Sequence, residues 1–192
     1  MVNVCRCFFG RVYPGLPSLS PKRYIRRMTR SYATVEKSIA ALVAGEDDAV
    51  AKMATIACEL FHGMDGFDWV GFYRVTGPEM LKIGPYQGGH GCLTIPFSRG
   101  VCGKAARDRE TVIVADVHAF ADHIACSSTT LSEIVVPVQD RDGALIAVLD
   151  IDSDRRAHFD ADDARALEHI LAQAFGPGSV PPPTRAEGQA AD

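Results

Sequence analysis

The sequence predicts an α+β fold, a run of strands forming one sheet with helices laid on one of its faces. Three observations predict it. Apolar residues recur at helical spacing before residue 62 and again after residue 160. Between them lie five short runs rich in β-branched and aromatic residues. Asp142-Gly143 then separates the last two runs by a hairpin turn signal, so those strands should be antiparallel neighbours.

Val35, Ile39, Leu42 and Val43 give the first helical stripe, with Gly45 as its C-terminal stop. Asp47 is placed to cap a second helix that carries Val50, Met53, Ala54, Ala57, Leu60 and Phe61 on one face. Within that pattern Cys58 reads as a small buried side chain. The strand runs are Trp69–Val75, Leu81–Ile83, Val112–Val114, Ile134–Val138 and Leu145–Ile151. Gly100–Arg107 suits a short helix crossing the sheet, and a closing helix from Asp160 buries Ala164, Leu167, Leu171 and Phe175. Gly176-Pro177-Gly178 stops it, and Pro181, Pro182 and Pro183 prevent another.

Charge divides the chain. Of 192 residues, 20 are Lys or Arg and 24 are Asp or Glu, for a formal net charge of −4. Residues 1–30 hold seven of the basic residues and no acid, leaving 13 basic against 24 acidic residues, a net −11, in the remainder. Residues 1–31 therefore read as a basic, disordered N-terminal extension, 32–176 as the folded domain and 177–192 as a Pro-rich disordered tail. An acidic body argues against binding phosphate backbones of nucleic acid. No window reaches the roughly 18 uninterrupted apolar residues that a membrane span needs. The six cysteines (Cys5, Cys7, Cys58, Cys92, Cys102, Cys126) include no C-x-x-C pair and follow no signal peptide, so a reducing, cytoplasmic setting is expected.

The unusual residues gather in five places. Trp69-Val70-Gly71-Phe72-Tyr73 is an aromatic strand holding the only tryptophan. Gly84-Pro85-Tyr86-Gln87-Gly88-Gly89-His90-Gly91-Cys92 reads as a Gly-rich loop, without the Lys-Ser/Thr of a phosphate loop. Two glycines flank Cys102, which suggests close backbone packing. Cys126 sits among small polar residues ahead of a buried strand, the setting of a reactive thiol. Cys92, His118, His123 and Cys126 are an alternative zinc set, but their spacing is irregular. Lastly, alternation puts Asp150 and Asp152 on one face of their strand and Ile151 on the other, with Glu133 on the neighbouring hairpin strand. Such acids are either solvated or form an acidic pocket for an ammonium group. Like charges held together there would raise a carboxyl's pKa and let it donate a proton.

The series Asp68-Trp69-Val70-Gly71-Phe72-Tyr73, Gly84-Pro85-Tyr86-Gln87-Gly88, Gly100-Val101-Cys102-Gly103, His123-Ile124-Ala125-Cys126, Ser132-Glu133-Ile134-Val135-Val136-Pro137 and Val148-Leu149-Asp150-Ile151-Asp152-Ser153 resembles the free methionine-(R)-sulfoxide reductases, which are single GAF domains. The resemblance runs in order from about residue 33 to about 175. It implies a GAF-like central antiparallel sheet with helices on one face and a ligand pocket on the other. It also implies Cys126 as attacking thiol, Cys92 as its disulfide partner and Cys102 as a third site cysteine. Glu133, Asp150 and Asp152 become the carboxylates that bind and activate substrate, and Trp69 and Tyr73 the pocket aromatics. Two departures are visible: Ser127 stands where the family has an acid, and Gly89-His90-Gly91 where it has Lys-Pro-Ala.

On that resemblance the expected reaction is reduction of free L-methionine-(R)-S-oxide to L-methionine through sulfenic acid and disulfide stages. Thioredoxin or a similar dithiol is the expected reductant, a homodimer is admitted, and no metal or organic cofactor is required. The readings left beside it are a sensory GAF domain that binds a small ligand and a redox-sensing thiol module.

Overall fold

The structure, a computed structural model, describes residues 31–120 and 128–176. The extension and tail expected to be disordered, and the segment with His123, Cys126 and Ser127, lie outside the described residues.

Helix α1 (Tyr32–Leu42) buries Val35 and Ile39, one turn apart. Gly45 then takes a left-handed conformation (φ 78°), which turns the chain toward α2 (Ala49–Gly63). The cap of α2 is Asp48, not Asp47: its carboxylate accepts from the amides of Val50 and Ala51, while Glu46 accepts from those of Asp47 and Asp48. The buried stripe is Met53, Ile56, Ala57 and Leu60. Val50 and Ala54 fall on the solvent side, and Cys58 is free and half-buried rather than buried. Shifting the apolar face by one residue accounts for all three differences. Lys52, also buried, donates from Nζ to the Ala174 carbonyl (3.0 Å), tying α2 to the end of the last helix.

Six strands follow: β1 (Trp69–Gly77), β2 (Met80–Gln87), β3 (Thr94–Pro96), β4 (Val112–Val114), β5 (Ser132–Gln139) and β6 (Leu145–Ser153). They form one antiparallel sheet in the order β3-β2-β1-β6-β5-β4. The expected β5–β6 hairpin is present. Gly143 takes φ 77° in its turn, and Asp140 accepts from the amides of Asp142 and Ala144.

Strand β2 is longer than its apolar run and passes through Gly84-Pro85, which the sequence reads as loop. A shift in the β1–β2 register at this point absorbs the proline, which has no amide to give the ladder. A Cβ on Gly84 would come within 2.9 Å of the Phe72 carbonyl oxygen, so this close approach needs glycine. Three-residue β3, at the sheet edge, leaves no periodic signal.

Alternation divides the sheet cleanly. Val70, Phe72, Ile134, Val136, Leu149 and Ile151 pack against α1, α2 and α4 (Ala161–Phe175) in one core. Tyr73, Leu81, Ile95, Val135 and Val148 face the other way, against α3 (Gly100–Asp108) with its buried Val101, Cys102, Ala105 and Ala106. Asp160 and Asp163 close a reciprocal capping box at the start of α4. No helix among the described residues is long and apolar enough to cross a membrane.

Candidate active site

The α3 face of the sheet carries the unusual residues. Trp69, Gly71 and Tyr73 alternate onto it from the start of β1. The Trp69 ring stacks on Tyr73 (centroids 5.9 Å apart) and on Tyr86 of β2 (5.5 Å). Gly71 makes this possible, since a Cβ there would lie 2.3 Å from the Trp69 ring and 2.6 Å from the Tyr86 Cβ. The Gly-rich segment closes over the same rings. Trp69 Nε1 donates to the Gly89 carbonyl (3.0 Å), and a Cβ on Gly91 would stand 2.9 Å from the Tyr73 hydroxyl. Gly88 and Gly91 leave room for these rings, with a Cβ on Gly88 standing 2.7 Å from Trp69, whereas a Cβ on Gly89 would meet nothing within 4 Å. Cys92, next along, is half-buried and disulfide-bonded; its partner lies outside the described residues.

The acids arrive from the other side of β1. Asp150 stands opposite Gly71, and Asp152 opposite Trp69, in the β1–β6 ladder. Across β6, Glu133 of β5 pairs with Asp152. Glu133 and Asp150 are both buried, at 6% exposure each, and Asp152 is half-buried. The strand ends that carry them are pinned by backbone bonds from Asp68 to Asp152 (2.9 Å) and from Leu131 to Ser153 (2.8 Å). Ser132 adds a hydroxyl bond to the Arg155 carbonyl (2.6 Å).

Cys102 comes down from the first turn of α3. Gly103 lets the helix sit close, because a Cβ there would be 2.5 Å from the Pro96 carbonyl oxygen. The Cys102 thiol is free, buried and hydrogen-bonded to the Asp150 carboxyl, which also shares a hydrogen bond with Glu133. Donor atoms of Cys102, Glu133 and Asp150 all lie within 4.8 Å of one another. Even so, Oδ1 of Asp150 is buried with no hydrogen-bond partner. Thr130 hydrogen-bonds Asp152.

Electrostatics follow from burial. Loss of solvent pushes the Asp150 carboxyl up to about 7, against the opposing hydrogen bonds from Cys102 and Glu133. Glu133 and Asp152 are raised, first by burial and then by the negative charge of Asp150. The same causes hold the Cys102 thiol and the Tyr73 phenol well above their ordinary values. The cluster therefore retains protons near neutrality and attracts a cation.

Of the eight site residues read from sequence, the structure brings Trp69, Tyr73, Cys102, Glu133, Asp150 and Asp152 to one face and places Cys92 after the loop that covers the aromatics; Cys126 lies outside the described residues. In the alternative zinc set, His118 is exposed and pairs with Asp116 in a surface turn, and His123 lies outside the described residues. The sequence reading missed two contributors. Tyr86 was hidden in what read as loop, and Thr130 had no motif to mark it.

The GAF domain family matches residues 43–174. Over 145 residues the chain is 37% identical to the free methionine-R-sulfoxide reductase of Escherichia coli, covering 76% of this chain and 87% of that protein. It is also similar to the free methionine-R-sulfoxide reductase of Neisseria meningitidis solved in complex with its substrate (45% identity, TM-score 0.70, 75% of this chain and 89% of that one). A reduced fRMsr of Staphylococcus aureus superposes with TM-score 0.72 at 39% identity, covering 76% of this chain and 93% of that one.

Proposed function

The chain belongs to the GAF-domain family of free methionine-R-sulfoxide reductases, and from that premise we propose that it reduces free L-methionine-(R)-S-oxide to L-methionine. The observation that carries this reading is the set of buried, proton-holding carboxyls at Glu133 and Asp150, set beside an aromatic wall. A free amino acid offers that set an ammonium group, and its methyl and side-chain methylenes suit the Trp69 and Tyr73 rings.

The chemistry uses the thiols in sequence. The Cys126 thiolate attacks the sulfoxide sulfur while a protonated carboxyl, Asp150 or Glu133, donates to the oxygen, which leaves poorly unless protonated. The hydroxyl so formed passes to the Cys126 sulfur as the new sulfur–sulfur bond breaks, so methionine departs with its lone pair restored and Cys126 is left as a sulfenic acid. The Cys92 thiol condenses with it, forming the Cys92–Cys126 disulfide and releasing water. A dithiol such as thioredoxin then exchanges with that disulfide, returning two thiols and becoming oxidised itself. That Cys92 is disulfide-bonded while Cys102 is free supports Cys92 as the resolving thiol. Cys102 acts through its hydrogen bond to Asp150, keeping the acid aimed into the pocket. A cycle that begins from reduced thiols fits a reducing compartment, the cytoplasm.

The test is turnover of the separated sulfoxide diastereomers by purified protein with a dithiol. Consumption of the R form with stoichiometric release of methionine supports the assignment. Turnover of neither form, or of the S form alone, rejects it.

A further inference from the structure

We infer that Cys102, Glu133 and Asp150 form a site for one thiophilic divalent cation of the Zn²⁺ type, which excludes the amino-acid substrate when bound. The exclusion rests on the reductase reading; the metal binding does not.

The geometry supplies three donors from three separately anchored elements, α3, β5 and β6, with all three donor atoms within 4.8 Å of one another. Ligands of one tetrahedral zinc stand roughly 3.3–3.8 Å apart, given Zn–S of about 2.3 Å and Zn–O of about 2.0–2.2 Å. Closing onto an ion therefore asks for side-chain movements of about an ångström and no backbone change.

A second observation is independent of the clustering. Asp150 is 6% exposed, and its Oδ1 is buried without a hydrogen-bond partner. Such an oxygen lacks either a donor or a cation.

Donor type and charge then select the ion. One thiolate with two carboxylates suits zinc and its neighbours in the first transition row. Calcium asks for six to eight oxygens, and magnesium for an octahedral, largely hydrated shell. Ionised, the trio carries three negative charges, and a divalent cation reduces this to one. The proton on Cys102, and any on the two carboxyls, pass to solvent as the metal binds, and no atom changes oxidation state. The ion would occupy the ground assigned to the substrate's ammonium, so substrate and metal cannot bind together.

The experiment is titration of the reduced full chain with Co²⁺ alone, read in the near-ultraviolet for a thiolate-to-cobalt charge-transfer band. The proposal expects one equivalent to saturate the band and Zn²⁺ to remove it by displacement. Cys102→Ser abolishes the band, and Asp150→Asn weakens cobalt binding by about tenfold or more. Cys58→Ser and Cys92→Ser leave the band in place. With substrate present, Zn²⁺ raises KM and leaves kcat unchanged. A band that survives Cys102→Ser, one lost in Cys92→Ser, or no band at one equivalent would overturn the proposal, as would zinc that lowers kcat alone. The cobalt titration reads metal binding whether or not the protein turns over sulfoxide.

Discussion

Gly71 and Asp150 stand directly opposite each other in the β1–β6 ladder, so a position on the site face of β1 without a side chain adjoins a buried acid. The Trp69 ring fills the space a residue-71 side chain would take. Gly71→Ala would force that ring off both its stacking partners. The expected result is a loss of about 1–3 kcal/mol of stability from overpacking, with a raised KM as the aromatic wall shifts. Denaturant melts and steady-state kinetics check this; an alanine variant with parental stability and KM would show that the ring moves freely.

Thiol roles separate by substitution. Cys126→Ser should leave under about 1% of parental turnover, because a serine hydroxyl stays protonated where a thiolate is needed. Cys92→Ser should complete one turnover and then stall with a dithiol protein as reductant. Mass spectrometry of the oxidised parent should find Cys92 linked to Cys126, and a dominant Cys102–Cys126 link would reassign the resolving thiol.

The raised Asp150 pKa predicts two pH dependences. For activity, kcat/KM should fall as pH rises through about 7, where the free enzyme loses the proton it donates. For stability the sign is set by proton uptake. Between the ordinary carboxyl value of 3.8 and about 7 the folded state binds the extra proton, so stability falls as pH rises across that window and levels off above it. Asp150→Asn removes the site's share of that slope, so chemical denaturation from pH 4 to 8 should give a flatter profile for the variant. Parallel profiles would mean that Asp150 is ionised throughout.

Residues 1–27 carry no apolar periodicity and oppose the body in charge. A chain starting at Met28 should match the full protein in activity and melting temperature. A clear drop in either would show that the extension packs on the domain.

Much of this architecture was legible because burial writes a period into sequence. The Asp150/Ile151/Asp152 alternation assigned faces correctly, since a sheet covered on both sides tolerates no slip of one residue. What stayed hidden has physical reasons. Thr94–Pro96 is too short to show a period, and Gly84-Pro85 continues a strand only because β2 bulges there, setting both residues opposite Phe72. The α2 face was misjudged by one position because Val50 and Ala54 are apolar yet exposed. The acids could be assigned to neighbouring strands from sequence, but the Cys102–Asp150 hydrogen bond depends on how closely α3 sits on the sheet, which Gly103 sets through a contact with Pro96 that sequence spacing does not encode.

The central claim is that buried carboxylates read a free ammonium. A peptide bond replaces that charge with a neutral amide and adds bulk against Glu133, Asp150 and Asp152, so the negative charge that the ammonium would draw out of this buried cluster has no partner, at a cost of several kcal/mol. The most direct measurement is the ratio of kcat/KM for free L-methionine-(R)-S-oxide to that for its N-acetyl derivative, with the same dithiol. The account predicts a ratio of at least about a hundred, collapsing when Glu133→Gln removes part of the acid set. Comparable efficiency on the two substrates by the parent protein would contradict it.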